Sequence, residues 1–460
     1  MQNHISIEPI NNEPRNDELT HDELIKMCNT MKTTSNILDL SNKNITDIKM
    51  NKYEVFYSPV FITHLNLLLI SEIHLDNNRI CYSFENLFNI FQNLTFLKII
   101  SLSNNNLGDN GAKLLAKYLV LNNSNTNCRY YYNYLRYLEY LDISSNNIGP
   151  EGAKAIADAL INNKSLNELN MYDNYIGVEG ANSFGKMLLS PNIRIKDLNI
   201  SNNNINVSQC EELAISISKN KSLLFFNISN NDFAIFDEEL RNLEKVIMLI
   251  LSSESISNLF WHNNSIDDLI TQYIANGLKK NNTITHLFLS DNLISNLGAY
   301  LLFDALKNNC NTIIKHFDLS HNYYIDNECI SSFAELLEGN DILQLINMNY
   351  TDINNKGLVE LSQSRGLKYN VSIVSLTFGK DDIDEVEPIE NNELTFILKR
   401  NQHIFWEPYN HKYNLLNLDM HNIIITVLLC NTYGKLQVKV PVSILIYLFK
   451  FFNRTQFINI

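Results

Sequence analysis

The chain has 460 residues, with 36 Lys and Arg against 50 Asp and Glu and a net charge of −14. That balance argues against duplex nucleic acid, which needs a cationic surface to displace counterions, and points to a protein partner that is neutral or basic. No apolar run approaches the ~18 residues of a membrane span, the start MQNHISIEPINNEP lacks a basic segment followed by an apolar core, and seven scattered cysteines form no C-x-x-C pair, so a cytoplasmic or nuclear monomer with reduced thiols is expected.

In chain order, residues 1–35 are expected to form an N-terminal helical cap, since Leu24, Met27, Cys28 and Met31 fall on one helical face. A repeat region is expected over 36–380. Ten times between Ile70 and Ile353 the chain returns to the spacing L-x-x-L-x-L-x-x-N-x-I, as in LEYLDISSNNI from Leu138 and ITHLFLSDNLI from Ile284. The second apolar position falls at Ile73, Ile100, Leu141, Leu169, Leu198, Phe226, Leu259, Leu287, Phe317 and Ile346, at intervals of 27 to 33 residues with one of 41. Degenerate copies stand around Leu38 and Val374.

The first half of each copy alternates apolar and polar residues, the period of a strand. After the Asn the period becomes helical: Ala112, Leu115, Ala116 and Leu119 recur at i, i+3, i+4 and i+7, as do Ala153, Ile156, Ala157 and Leu160, and Ala299, Leu302, Phe303 and Leu306. One unit buries too little apolar surface to offset its ordering entropy, so units must stack. Parallel strands pack ~4.8 Å apart and helices ~10 Å, so the stack must bend. The expected fold is an α/β solenoid of about 11 to 12 repeats, a horseshoe with parallel strands on the concave face and helices on the convex face. The motif asparagines Asn78, Asn105, Asn146, Asn174, Asn203, Asn231, Asn264, Asn292 and Asn322 are expected to satisfy backbone groups where the chain leaves the strand, with Lys43 and Thr351 replacing them at the ends.

The turn N-x-I-G-x-x-G-A, seen at Ile148, Gly149, Gly152 and Ala153, at Ile176, Gly177, Gly180 and Ala181 and at Leu107, Gly108, Gly111 and Ala112, resembles the ribonuclease-inhibitor type of leucine-rich repeat. The resemblance spans about residues 36–380 and implies an intracellular protein-binding scaffold.

The longest interval holds a tyrosine-rich insertion with Tyr130, Tyr131, Tyr132, Tyr134 and Tyr137, either a long connection or a partner-contacting loop. Residues 381–395 are expected to be an acidic linker, and 396–460 a C-terminal cap or a small F-box-like module. The F-box likeness rests on Pro441 ahead of Ile444, Leu445, Leu448, Phe449 and Phe452, and implies docking on a ubiquitin-ligase adaptor.

The chemistry-bearing motifs are few. Gly180, Gly185 and Lys186 fit G-x-x-x-x-G-K, but Met187 replaces the magnesium-binding Ser or Thr and the string lies on a repeat helix. No cofactor and no metal are expected, a bridge between His286 and His316 lacking a third ligand. The outward strand positions, third, fifth and seventh in the motif, carry the binding expectation. They run from Glu72, His74, Asp76, Tyr140, Asp142, Ser144, Glu168, Asn170, Tyr172, Asp197, Asn199 and Ser201 to Phe225, Asn227, Ser229, Asn258, Phe260, His262, His286, Phe288, Ser290, His316, Asp318 and Ser320. The surface passes from acidic to aromatic and imidazole-rich. Phe225, Phe260, His262, His286, Phe288, His316, Tyr140, Tyr172, Glu168 and Asp197 are the expected partner contacts, with Phe260 above Phe288 and His286 above His316. The expected function is a non-catalytic interaction scaffold; the alternatives are GTPase activation, as in the similar Ran GTPase-activating proteins, enzyme inhibition, or substrate reception for a ubiquitin ligase.

Overall fold

The computed structural model describes residues 36–43, 45, 65, 69–81, 91, 94, 96–120, 135, 137–233, 240–308 and 313–378. The expected N-terminal cap, all of the tyrosine-rich insertion except Leu135 and Tyr137, the acidic linker and the C-terminal module lie outside the described residues. The chain divides into two compact units, Met1–Asn203 and Asn204–Ile460.

In the first unit the described strands are β1 (Ile37–Asp39), β2 (Glu72–His74), β3 (Ile99–Ser101), β4 (Tyr140–Asp142), β5 (Glu168–Asn170) and β6 (Asp197–Asn199), each pairing parallel with the next in sequence. The second apolar position of every copy is the middle residue of its strand, and Leu38, Ile73, Ile100, Leu141, Leu169 and Leu198 are all buried. Behind the strands lie α1 (Gly108–Leu119) and α2 (Pro150–Leu160), which bury the apolar stripes read from their sequences, and α3 (Gly177–Leu188), which buries Ala181, Phe184, Met187 and Leu188. Gly108 and Gly177 take φ of +55° and +56°, so glycine is what lets the chain turn into α1 and α3. A Cβ on Gly180 would sit 3.0 Å from the Cβ of Ala153, so its absence lets α3 lie close against α2.

The second unit repeats the plan with β7 (Phe225–Asn227), β8 (Asn258–Phe260), β9 (His286–Phe288), β10 (His316–Asp318), β11 (Leu345–Asn347) and β12 (Ser375–Thr377), again parallel and in register. Its helices are α4 (Glu211–Lys219), α5 (Leu240–Leu251), α6 (Asp268–Leu278), α7 (Asn296–Asn308), α8 (Ile330–Gly339), α9 (Asn355–Gln363) and α10 (Arg365–Tyr369). Because paired strands pack closer (~4.8 Å) than helices (~10 Å), the strand side of each unit is the shorter, concave one.

The asparagine column stitches neighbouring repeats. In the first unit Asn174 Oδ1 accepts the Asn146 and Ile148 amides at 3.0 and 2.9 Å, while its Nδ2 donates to Ile143 O and Met171 O at 3.1 and 3.0 Å. In the second, Asn292 Oδ1 accepts from Asn264 N and Ile266 N at 2.9 and 3.0 Å, and Nδ2 donates to Trp261 O and Leu289 O, both at 3.0 Å. One buried carboxamide thus satisfies backbone groups of two successive turns. At Thr351 the buried hydroxyl donates to Met348 O within its own repeat at 2.9 Å, so the cross-repeat stitching weakens there as the sequence leads one to expect.

Candidate protein-interaction surfaces

The outward residues form three rows across each unit's strands, and the rows differ in depth. Seventh-position Ser144, Ser201, Ser229 and Ser320, expected on the surface, are buried instead. The cause is local. In most repeats an Asp or Asn at the fifth position accepts the amide two residues on, as Asp142 does from Ser144 at 2.9 Å, Asn199 from Ser201 at 3.1 Å and Asp318 from Ser320 at 2.9 Å. These Asx turns fold the small serines in against the strand ends.

In the first unit the register places Tyr140, Glu168 and Asp197 side by side on successive strands. Tyr140 Oη donates to Asp142 Oδ2 at 3.2 Å, and Asn170 Nδ2 donates to the same oxygen at 2.9 Å. Burial, then the Asp142 carboxylate and Glu168, hold the Tyr140 phenol well above its usual range. Burial and then the Glu168 charge push Asp197 up to about 6. Tyr172 stands apart from this row at the end of β5, 40 % exposed. The outward rows of this unit carry Asp39, Glu72, Asp76, Asp142, Glu168 and Asp197 and, among the described residues, no Lys or Arg.

In the second unit Phe260 pairs with Phe288 and His286 with His316, as expected. The phenyl rings stack at 4.5 Å with 2° between planes, His316 meets Phe288 edge-on at 4.9 Å, and the two imidazoles lie 5.6 Å apart. All four side chains are half-buried, facing outward from the sheet. Phe225 shares the row of His286 and His316 but is separated from His286 by Asn258, and so lies outside the cluster. His262 turns its Nδ1 to Ser229 Oγ at 2.8 Å. Desolvation is the leading cause that lowers the pKa of His262, His286 and His316; Asp291 and Asp318 oppose it at His262, Asp318 opposes it at His316, and at His286 the charges of His316 and Lys315 add to it. Among the described residues no three His, Cys, Asp or Glu side chains are grouped to hold a metal. Gly180, Gly185 and Lys186 lie inside α3, a helix rather than a phosphate loop.

Sequence reading missed a second aromatic group. His321 stacks on Tyr350 at 4.1 Å and meets Tyr323 edge-on at 6.0 Å, with Asp291 Oδ1 3.8 Å from its Nδ1. Both His321 and Tyr350 occupy the residue before the motif Asn or its Thr replacement, a position with φ near +50 to +60° along the stack. Elsewhere that position holds Asn42, Asn77, Asn104, Ser145, Asp173, Asn202, Asn230, Asn263 and Asp291, so two rings in a column of small polar residues were the available signal.

A leucine-rich-repeat family model matches residues 93–116 and 134–157, spanning β3 to α2. The chain is a leucine-rich-repeat protein. This repeat protein is 26 % identical over 132 residues to NACHT, LRR and PYD domains-containing protein 14 of Mus musculus, and 28 % identical over 137 residues to its Homo sapiens counterpart. Protein 4C of the same series from Mus musculus matches over 190 residues at 27 % identity. The matches cover 29 %, 29 % and 40 % of this chain but only 13 %, 12 % and 18 % of those relatives. Among solved structures, the Rad7 and Elc1 complex in yeast aligns over 70 % of this chain and 71 % of that one, at TM-score 0.42 and 14 % identity. An internalin (inlF) from Listeria monocytogenes aligns over 83 % and 92 %, at TM-score 0.40 and 15 % identity. Among the described residues no helix is long and apolar enough to cross a membrane.

Proposed function

We propose that this leucine-rich-repeat protein is a non-catalytic scaffold that holds a partner protein on the concave strand faces of its repeats. The observation that carries the reading is the stacked Phe260–Phe288 pair, half-exposed on a rigid sheet, with His286 and His316 beside it. Water gains nothing from two phenyl rings displayed on an open face, whereas a partner that covers them removes apolar area at small entropic cost, because the rings are already held in place. The first unit's carboxylates, unopposed by any cation in their rows among the described residues, suit a basic side of a partner on that unit's own face. Tyr140, Tyr172, Glu168 and Asp197 belong to that face, and Phe225, Phe260, His262, His286, Phe288 and His316 to the other.

The test begins with affinity capture on the full chain and identification of the bound protein. The double variant Phe260→Asn with Phe288→Asn should then weaken that protein's binding by more than about 2 kcal/mol, roughly 30-fold, in calorimetry. An affinity within about twofold of wild type would remove the strand face from the reading.

A further inference from the structure

One flank of the second unit, where the chain passes from strand ends into helix starts, departs from the pattern of the first. The aligned turn is I-G-P-E-G-A at 148–153 and I-S-N-L-G-A at 294–299, so Leu297 stands where α1, α2 and α3 carry Asn110, Glu151 and Glu179. Three residues on, Tyr300 replaces Lys113, Lys154 and Asn182. Leu293 takes the place of Asn106 and Asn147, a position that before α3 holds the exposed Tyr175, and the next repeat brings Tyr323 and Tyr324 together. Their exposures are large: Leu293 49 %, Leu297 58 %, Tyr300 53 %, Tyr323 60 % and Tyr324 63 %. Tyr324 forms a parallel bridge with Ser295, and Leu293 N bonds Ile266 O at 2.9 Å, so these residues sit on adjoining turns. Beside them stands the His321–Tyr350 stack, two rings held at φ of 56° and 57°, a conformation that disfavours bulky residues and that the other repeats reserve for small polar side chains.

On the two repeats that carry Leu293, Leu297, Tyr300, Tyr323 and Tyr324 the charges beside them have one sign, and Lys356 enters only at the helix start of the repeat after. Asp267, Asp268, Asp291, Asp326 and Glu328 surround the apolar residues, and stretches 262–278, 286–306 and 316–343 contain no Lys or Arg. Some of these carboxylates also serve the fold: Asp267 caps α6, and Asp268 accepts from Ser295 N and Gly298 N. Their charge nevertheless remains unneutralised by any cation in those stretches. A second copy of the chain would bring the same acidic rim against itself, and an anionic membrane surface would be repelled as well. A segment with apolar side chains flanked by Lys or Arg matches both the patch and its rim.

We propose that this flank of the second unit, centred on Leu297 and Tyr324, is a docking surface for a basic amphipathic segment of another protein, separate from the strand face. It rests on the scaffold reading only in taking the repeats as an interaction platform.

The probe is a fluorescent leucine–lysine amphipathic peptide, with its leucine–glutamate counterpart as control, titrated against the full chain. The lysine peptide is expected to bind saturably and to slow amide exchange over 291–300 and 321–328. Leu297→Asn with Tyr324→Asn, both at exposed positions, should leave the unfolding midpoint unchanged and weaken the peptide by about tenfold or more, whereas Phe260→Asn with Phe288→Asn should leave it within about twofold. The inference is overturned if the Leu297 and Tyr324 variant binds within about twofold of wild type, if the glutamate peptide binds as tightly, or if only the phenylalanine variant weakens binding. A wild-type dimer in sedimentation that the Leu297 and Tyr324 variant converts to monomer would also overturn it, by making the flank a self-contact.

Discussion

Asn292→Ala tests whether the repeats are held by their carboxamide column. The side chain is 4 % exposed and makes its four shortest bonds, at 2.9 to 3.0 Å, to the amides of Asn264 and Ile266 and the carbonyls of Trp261 and Leu289, with a fifth to Ser290 O at 3.1 Å. Truncation strands two buried amides, each costing about 1 to 3 kcal/mol, and removes the donor from these carbonyls. Partial relaxation of the turn brings the expected loss to about 3 kcal/mol. Thr351→Ala, at the position where the hydroxyl bonds only Met348 O, should cost about 1 kcal/mol. Urea unfolding followed by circular dichroism measures both, and amide exchange at 264 and 266 should accelerate in the Asn292 variant alone. Asn292→Asp sharpens the comparison. It keeps the acceptor but turns the donor toward these carbonyls as a buried charge, so it should be at least as damaging at neutral pH and recover on acidification. A loss below about 1 kcal/mol for Asn292→Ala would refute the account, because the column would then be replaceable by water.

Two pH predictions follow from the strand faces. Asp197 has its carboxyl pushed up to about 6 from 3.8, so its ionisation opposes folding above that value, and the opposition disappears as pH falls from 6 toward 3.8. Asp197→Asn should therefore stabilise the first unit at neutral pH by about 1 kcal/mol, the full shift being discounted for partial exposure, and have little effect near the lower value; destabilisation at neutral pH would refute it. His286 and His316 have folded pKa values below 6.5, so the unfolded chain takes up protons first and stability declines as pH falls through 6.5. His286→Gln with His316→Gln should flatten that decline in urea titrations, and an unaltered slope would refute the assignment.

The repeat period was legible because stacking demands it: a large apolar residue must return to the middle of each strand, and an asparagine returns where two turns need the same donors and acceptors. Strand register followed from the same spacing, which is why Phe260 meets Phe288 and His286 meets His316. Depth was not legible. Strict alternation puts Ser144 and Ser201 on the outside, yet the Asx turns fold them in, a three-residue effect that a period of two cannot express. Phe225 carries the same residue type as the stacked pair but lies in the third-position row, opposite Asn258, whereas Phe260 and Phe288 lie in the fifth, opposite Asn227 and each other. The His321–Tyr350 stack was missed because that position does not alternate with the strand and is set by a left-handed backbone. The division after Asn203 leaves no mark on the period, since Leu198 and Phe226 keep the usual interval across it.

The fifth outward position gives the strongest reason to regard Phe260 and Phe288 as functional. At that position Asp39, Asp142, Asn170, Asn199, Asn227, Asp318 and Asn347 each accept the amide two residues on, at 2.9 to 3.1 Å. A phenyl ring has no oxygen to offer. Past Phe260 the His262 amide turns instead to Ser229 Oγ of the preceding repeat, at 3.2 Å. The two rings therefore occupy a position where seven of the twelve described strands use an Asx turn and where His74, Ser101 and Thr377 also do without one, and forgoing that recurrent bond for an outward ring is what the proposed binding role would explain. Phe260→Asn with Phe288→Asn should restore two such turns, worth about 0.5 to 1.5 kcal/mol each, against a lost ring pair of similar worth and some buried apolar area. Net stability should then move by no more than about 1 kcal/mol in urea unfolding, while partner binding falls roughly 30-fold. A stability loss well beyond 2 kcal/mol would reverse the conclusion, because the rings would then belong to the packing of the sheet rather than to what it binds.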